Sequence, residues 1–184
     1  MARGGKAETL EVREVLIRRA RPDDAASLAS FARHIFDETF GRFNDPADMR
    51  AYMDEAFGEP QQARELADPA IVTLLADADG ALAGYAQLSA RRAPPAAAGA
   101  RPVELMRFYV GQGWQGRGVA QALMRAVTGE AVRLGGGVLW LCVWGENGRA
   151  LAFYRKYGFR EIGTTPFQLG RDVQTDLVMA RALE

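Results

Sequence analysis

Four glycines between Gly111 and Gly118 join an apolar stretch, Arg107-Phe108-Tyr109-Val110, to an amphipathic one, Ala120-Gln121-Ala122-Leu123-Met124-Arg125-Ala126-Val127. Strand, glycine turn and helix in that order aim several free backbone N–H groups at one point. The first N–H groups of a helix lack an intrahelical partner, and the helix dipole adds partial positive charge there. The ligand such a turn fits is a diphosphate.

Two patterns overlap in these residues. Gly111-x-Gly113-x-x-Gly116 matches the dinucleotide fingerprint of the Rossmann fold. That fingerprint needs an acid about 20 residues further on to hold a ribose, but Gly136 stands there and the next acid is Glu146. Gln115-x-x-Gly118-x-Ala120 instead matches the signature of the GNAT acetyltransferases. A glycine-rich connection with no ligand is the third reading, and it is disfavoured because flexible residues before a helix cost stability.

Residues 146–159 read ENGRALAFYRKYGF. This resembles the second GNAT pattern, an asparagine, an alanine three residues on, then Phe-Tyr and Gly-Phe, and the Rossmann reading leaves it unexplained. The resemblance spans residues 14 to 183. It implies an α/β (α+β) GNAT fold: a mixed, mostly antiparallel sheet of about seven strands, flanked by helices, with a parallel splayed strand pair at the cofactor site. It implies acetyl-CoA as co-substrate and no metal.

The resemblance also implies the site. The backbone N–H groups from Gln115 through Gly116, Arg117, Gly118 and Val119 to Ala120 hold the diphosphate. The Arg117 side chain either meets a phosphate or stays solvated. A bulge in the central strand frees backbone groups of Phe108, Tyr109 and Val110 for pantetheine, although their side chains read equally as core. Asn147 matches the asparagine that bonds the pantetheine arm, and as a bare residue it is a helix N-cap. Tyr154 matches the tyrosine that protonates the departing thiolate, and a phenol carries that proton at neutral pH. An attacking amine must also lose a proton. Glu104, lying six residues before Val110, matches the base of the histone-acetylating branch. An acid amid Val103, Leu105 and Met106 is out of place in a core strand, and the alternative is a strand-end ion pair, for instance with Arg107.

Composition narrows the classes. Lys+Arg and Asp+Glu both number 23, so net charge is zero. That disfavours a nucleic-acid binder relying on bulk charge. His34 is the single histidine, which leaves no histidine metal cluster. Cys142 is the single cysteine; it excludes an internal disulfide, suits a reducing cytoplasm and reads as a buried inert thiol in an apolar strand. No apolar stretch approaches a membrane span, and MARGGKAETLE lacks a signal-peptide core. Residues 1–10 read as a flexible tail and 11–184 as one domain.

The elements that must position these residues follow from periodicity and punctuation. Residues 12–19 read as a strand. A helix opens at Arg21-Pro22-Asp23-Asp24 and runs to about Phe40. A second opens at Asn44-Asp45-Pro46 with Asp45 as N-cap, and a third covers about 60–67. Strands 71–77 and 81–90 meet at Asp79-Gly80, a hairpin signal. Residues 91–101 read as a mobile loop and 103–110 as the central strand. The phosphate turn and the helix after it together occupy about 114–134 and stop at Gly135-Gly136-Gly137. Val138–Trp144 is apolar throughout, as a buried parallel strand is. A helix over 147–157 and strands over 159–167 and 173–182 complete the chain.

Residues 37–59 hold seven acids and two arginines, an excess that draws cations or forms a solvated face. IFDETF, AYMDEAF and FQLGRDVQTDLVM resemble the bacterial polyamine (spermidine/spermine) acetyltransferase branch. There the last stretch, here Phe167, Leu169, Gly170, Asp172, Gln174 and Asp176, forms the final hairpin. The leading expectation is a small-molecule amine N-acetyltransferase, acting on a polyamine-like cation by direct attack in a ternary complex. The alternatives are a protein or peptide acetyltransferase and a non-enzymatic acetyl-CoA-binding regulator. A homodimer is compatible with the family, and nothing in the chain specifies an interface.

Overall fold

A computed structural model of the chain describes residues 14–92 and 101–183. Seven strands form one sheet in the order β1-β2-β3-β4-β5-β7-β6. They are β1 Val15–Arg19, β2 Ile71–Ala78, β3 Ala81–Ser89, β4 Pro102–Val110, β5 Val138–Trp144, β6 Arg160–Leu169 and β7 Asp172–Ala182. The helices are α1 Ala25–Phe40, α2 Pro46–Phe57, α3 Glu59–Ala67, α4 Val119–Arg133 and α5 Gly148–Lys156. The expected tail and most of the 91–101 loop lie outside the described residues. No described helix is long and apolar enough to cross a membrane.

All strand pairs are antiparallel except β4 with β5. That pair is parallel over only three positions, Pro102 with Val138, Val103 with Leu139 and Glu104 with Trp140. Beyond them β4 stays with β3 as far as Val110, while β5 stays with β7 as far as Trp144. The two strands therefore splay.

Local chemistry accounts for most element ends. Asp79 and Gly80 both take positive φ, +49° and +80°, as a two-residue hairpin turn demands. The Asp45 carboxylate caps α2 by accepting from the N–H groups of Ala47 (2.8 Å) and Asp48 (3.2 Å). Gly135, at φ +76°, ends α4 and donates to the Val132 carbonyl. Within the turn-and-helix segment, α4 itself begins at Val119, next to the expected Ala120. Gly116 and Gly118 sit at φ +78° and +87°, which a right-handed helix cannot accommodate. The bulge of β4 is displaced. Gln87 opposes Arg107 while Leu88 opposes Leu105, so Met106 is the extra residue, and Phe108, Tyr109 and Val110 pair regularly with Ala86, Tyr85 and Gly84.

Each face of the sheet carries its own core. One joins Leu105, Leu139, Leu141 and Met179 to α4 (Leu123, Met124, Val127) and α5 (Leu151, Tyr154). The other joins Leu75, Tyr85 and Leu169 to α1 (Leu28, Phe36) and α2 (Met49, Met53, Phe57). Burying each large apolar side chain stabilises by about 1.5–3 kcal/mol. The slot where β4 leaves β5 is thus bounded by both cores.

Candidate active site

The splay opens a cleft of about 550 Å3 that reaches residues of both faces. Phe108, Val143 and Tyr154 line it from the α4–α5 side, and Tyr109, Trp144 and Leu169 from the α1–α2 side. Strand edges 105–110 and 142–144 turn toward it because neither has the other as a partner. Their free backbone groups arise from this divergence, and not from a bulge at 108–110.

At one end stands the glycine turn. The Gln115 carboxamide donates to the Val110 carbonyl at 3.1 Å, tying the turn to the end of β4. The N–H of Gln115 donates to the Gln112 carbonyl (3.2 Å) and that of Arg117 to the Trp114 carbonyl (3.4 Å). Those two are engaged, contrary to expectation. Among the described residues, the N–H groups of Gly116, Gly118, Val119, Ala120 and Gln121 meet no backbone acceptor. The last three open α4, where the dipole is positive. No atom lies within 4 Å of where a Cβ would stand on Gly116 or Gly118, so the cradle is open to a ligand. Free N–H groups at a helix start are the donor set that anions use. The Val119 side chain is buried in the core, and the exposed Arg117 guanidinium lies 5.8 Å from the Trp114 ring.

Asn147 lines the cleft and caps α5, its side-chain oxygen accepting from the Ala150 N–H at 3.2 Å. Tyr154 also lines it. Its ring is held by Phe108, Phe153 and Phe159, all within 6.3 Å between centroids. Burial pushes its phenol above the usual range, so the hydroxyl keeps its proton at neutral pH.

Glu104 does not line the cleft. It stands where β4 and β5 are still paired, beside Trp140 and Ser89. Its Oε2 is buried without a hydrogen-bond partner among the described residues. Burial raises its pKa, opposed by the charge of Arg92. Nor does it pair with Arg107. The Arg107 guanidinium is held by Glu65 at 2.5 Å, Gln87 at 2.6 Å and the Ala56 carbonyl at 3.2 Å, and lies over the Phe57 ring.

The acid-rich segment turns elsewhere. Asp45 caps a helix, Asp48 faces Arg171, Asp54 pairs with Arg33 and Glu38 with His34. What 37–59 gives the cleft is Thr39, Phe40, Tyr52 and Phe57. The final hairpin does reach the site, through Phe167, Leu169, Gln174 and Asp176. The Gln174 carboxamide donates to the Asn44 side-chain oxygen at 2.6 Å. At its tip, Gly170 (φ +58°) packs so tightly on α2 that a Cβ would stand 2.3 Å from Asp48. Cys142 is exposed, not buried, because β5 has lost its neighbour there; burial of the surroundings and nearby Asp176 push its thiol up to about 11. It is therefore protonated and a poor nucleophile at neutral pH.

Asp176 entered the sequence reading only as one residue of the final-hairpin motif, with no role of its own. The signal was present: an acid in front of Leu177-Val178-Met179, the same incongruity that drew attention to Glu104.

Comparisons with known proteins bear on the family and the fold. The family model described as "Acetyltransferase (GNAT) family" matches residues 30–159. An uncharacterized N-acetyltransferase of Mycobacterium bovis is 35% identical over 160 residues, covering 87% of this chain and 98% of that protein. One from Lactobacillus delbrueckii subsp. lactis is 30% identical over 160 residues, covering 87% and 92%. In fold, the chain is similar to PaiA N-acetyltransferase from Thermoplasma acidophilum, solved in complex with coenzyme A. The TM-score is 0.75 and the identity 19%, over 92% of this chain and 99% of that one. The protein belongs to the GNAT family of acetyltransferases and is an acetyl-CoA-dependent N-acetyltransferase.

Proposed function

We propose that the protein acetylates the primary amine of a small cationic molecule, with amine and acetyl-CoA bound together in the cleft between β4 and β5. The observation that carries this reading is that the β6–β7 hairpin, which lends residues to the cleft, is fastened to the α2 region beside it. The tip of the β6–β7 hairpin rests on α2 at Gly170 and Asp48, and Gln174 bonds Asn44. Those contacts hold the hairpin against the α2 region, which favours a small acceptor over an extended peptide chain.

In this reading the free N–H groups of Gly116, Gly118, Val119, Ala120 and Gln121 hold the diphosphate, and the open edge of Phe108–Val110 with Asn147 takes the pantetheine arm. Acetyl-CoA supplies the thioester. Positioning both reactants is the main catalytic contribution. Tyr154 holds a proton at its hydroxyl oxygen and gives it to the departing sulfur.

The polyamine-like acceptor rests on resemblance of the final hairpin. It has less support from charge, since none of the 37–59 carboxylates lines the cleft. Thiol release from acetyl-CoA, measured against monoamines, diamines, spermidine, aminoglycosides and lysine peptides, tests the reading. Turnover confined to small amines is expected. Turnover confined to peptides would sink the small-molecule assignment.

A further inference from the structure

The geometry points to Asp176 as the acceptor subsite: its carboxylate receives the ammonium of a monocationic amine with an apolar stem, and takes the proton that the nitrogen must lose. This rests on the acetyl-transfer reading above and names its substrate class.

Asp176 is 9% exposed, yet it lines the cleft. It is the only acid among the lining residues described. In register it sits directly opposite Trp144 on β5, at the far end of the splay from Glu104. Phe40, Tyr52, Phe57, Trp144 and Phe167 line the same cleft and pack on one another, Tyr52 edge-on to Phe167 at 5.5 Å and Phe40 to Trp144 at 6.0 Å. A carboxylate beside aromatic faces is what an ammonium on an apolar stem requires.

The charges around Asp176 leave it unneutralised. From β4, Arg107 is committed to Glu65. From β5, Cys142 is a protonated thiol. From α2, Tyr52 is a phenol pushed up by burial, with Asp176 adding to the shift. Arg149 lines the cleft, but no hydrogen bond or ion pair joins it to Asp176 among the described residues. Glu104 is felt at Cys142, and adds like charge. Burial alone acts on Asp176 and raises its pKa, toward the value of a working base. The carboxylate has no hydrogen-bond or ion-pair partner among the described residues and lines the cleft, so an incoming cation would be its first partner.

A single acid serves a single ammonium. A second ammonium, as in a polyamine, would lie among aromatic rings with no carboxylate. The proton balance closes. One ammonium proton goes to Asp176 and then to water. The nitrogen–carbon bond forms as the carbon–sulfur bond breaks. Tyr154 protonates the sulfur, and the second nitrogen proton returns through solvent to the Tyr154 oxygen.

The test uses the full chain, Asp176→Asn and Glu104→Gln, with 2-phenylethylamine, butylamine and spermidine as probes. The wild type should favour the monoamines over spermidine by about tenfold in kcat/KM, reflecting an ammonium buried without a partner. Asp176→Asn should bind acetyl-CoA normally in calorimetry yet lose about 100-fold or more in kcat/KM, and the acid limb of its pH profile should move to that of the free amine. The subsite assignment is overturned if Asp176→Asn keeps the wild-type rate and profile, or if Glu104→Gln alone abolishes the limb. Spermidine as the better substrate overturns the monocation class. If no probe is acetylated, titration of 2-phenylethylamine into the coenzyme A complex decides. Binding lost in Asp176→Asn upholds the subsite and places the failure with the acetyl-transfer reading. Absent or equal binding overturns the subsite.

Discussion

The Gln115 side chain reaches back across the glycine turn to the carbonyl of Val110, the last residue of β4. One bond thereby sets the turn against the open strand edge, so diphosphate and pantetheine contacts share a single rigid frame. Gln115→Ala removes about 1 kcal/mol, equivalent to about a fivefold rise in the KM for acetyl-CoA with kcat little changed. Hydrogen exchange at residues 116–121 should quicken in parallel. An unchanged KM would show that the turn holds its shape without the bond.

The glycines of the turn are not equivalent. Gly118 takes φ +87°, whereas Gly113 is outside the left-handed region, and neither has an atom within 4 Å of a Cβ position. Substitution therefore acts through the backbone and not by a clash. Gly118→Ala costs about 1–2 kcal/mol of strain, relieved by shifting the N–H groups that open α4, and should weaken acetyl-CoA binding by about tenfold. Gly113→Ala should bind as the wild type does. Calorimetry on the pair separates them; equal losses would refute the argument.

What could be read from residue order follows from how locally each feature is determined. Val138–Trp144 was delimited correctly because its apolar run is unbroken and Leu139, Leu141 and Val143 enter the core. Asp45 and Asp79-Gly80 act within a few residues of themselves. The sign of φ at Gly116 and Gly118 is not written in composition, so the shape of the turn within 114–134 was not legible although the helix after it was. Choosing between Glu104 and Asp176 needed register. Both are acids in apolar strands, and only the end of β4–β5 pairing after Glu104 decides which one meets the cleft. Cys142 is open for the same reason. The acids of 37–59 were counted as one field, but a cap and three ion pairs engage four of them.

Tyr154 presents its hydroxyl to the cleft while three aromatic rings fix its position. Tyr154→Phe keeps those ring contacts and removes the proton. Turnover should fall by about 100-fold with acetyl-CoA affinity unchanged. Because burial holds the phenol above its ordinary range, the wild-type rate should show no alkaline fall from this group below about pH 10. Full turnover by Tyr154→Phe would refute the general-acid role.

The Glu65–Arg107 pair fastens α3 to the substrate face of the sheet. Both side chains are largely buried, and Gln87 and the Ala56 carbonyl complete the coordination of the guanidinium. Glu65→Gln strands a buried cation and should cost about 3–5 kcal/mol in urea unfolding. Adding Arg107→Met should recover much of that, since the desolvation penalty disappears with the charge. A double variant as unstable as the single one would argue that Arg107 is held mainly by Gln87 and Ala56.

Asp176 should weaken the fold it belongs to. Its pKa is raised above the ordinary 3.8 by burial. The folded chain thus holds this proton more tightly than the unfolded chain does, and stability is full where both are protonated. As pH climbs past the unfolded value, the unfolded form ionises first and stability drops until the folded carboxyl also ionises. At neutral pH the charged side chain is therefore a net cost. Asp176→Asn should be more stable than the wild type at pH 7, and the difference should vanish at acid pH, below about 4. Urea titrations of both proteins at the two pH values measure this. A variant destabilised at neutral pH, or stabilised equally at both, would mean that the carboxylate is satisfied within the fold, leaving nothing for an incoming ammonium to neutralise.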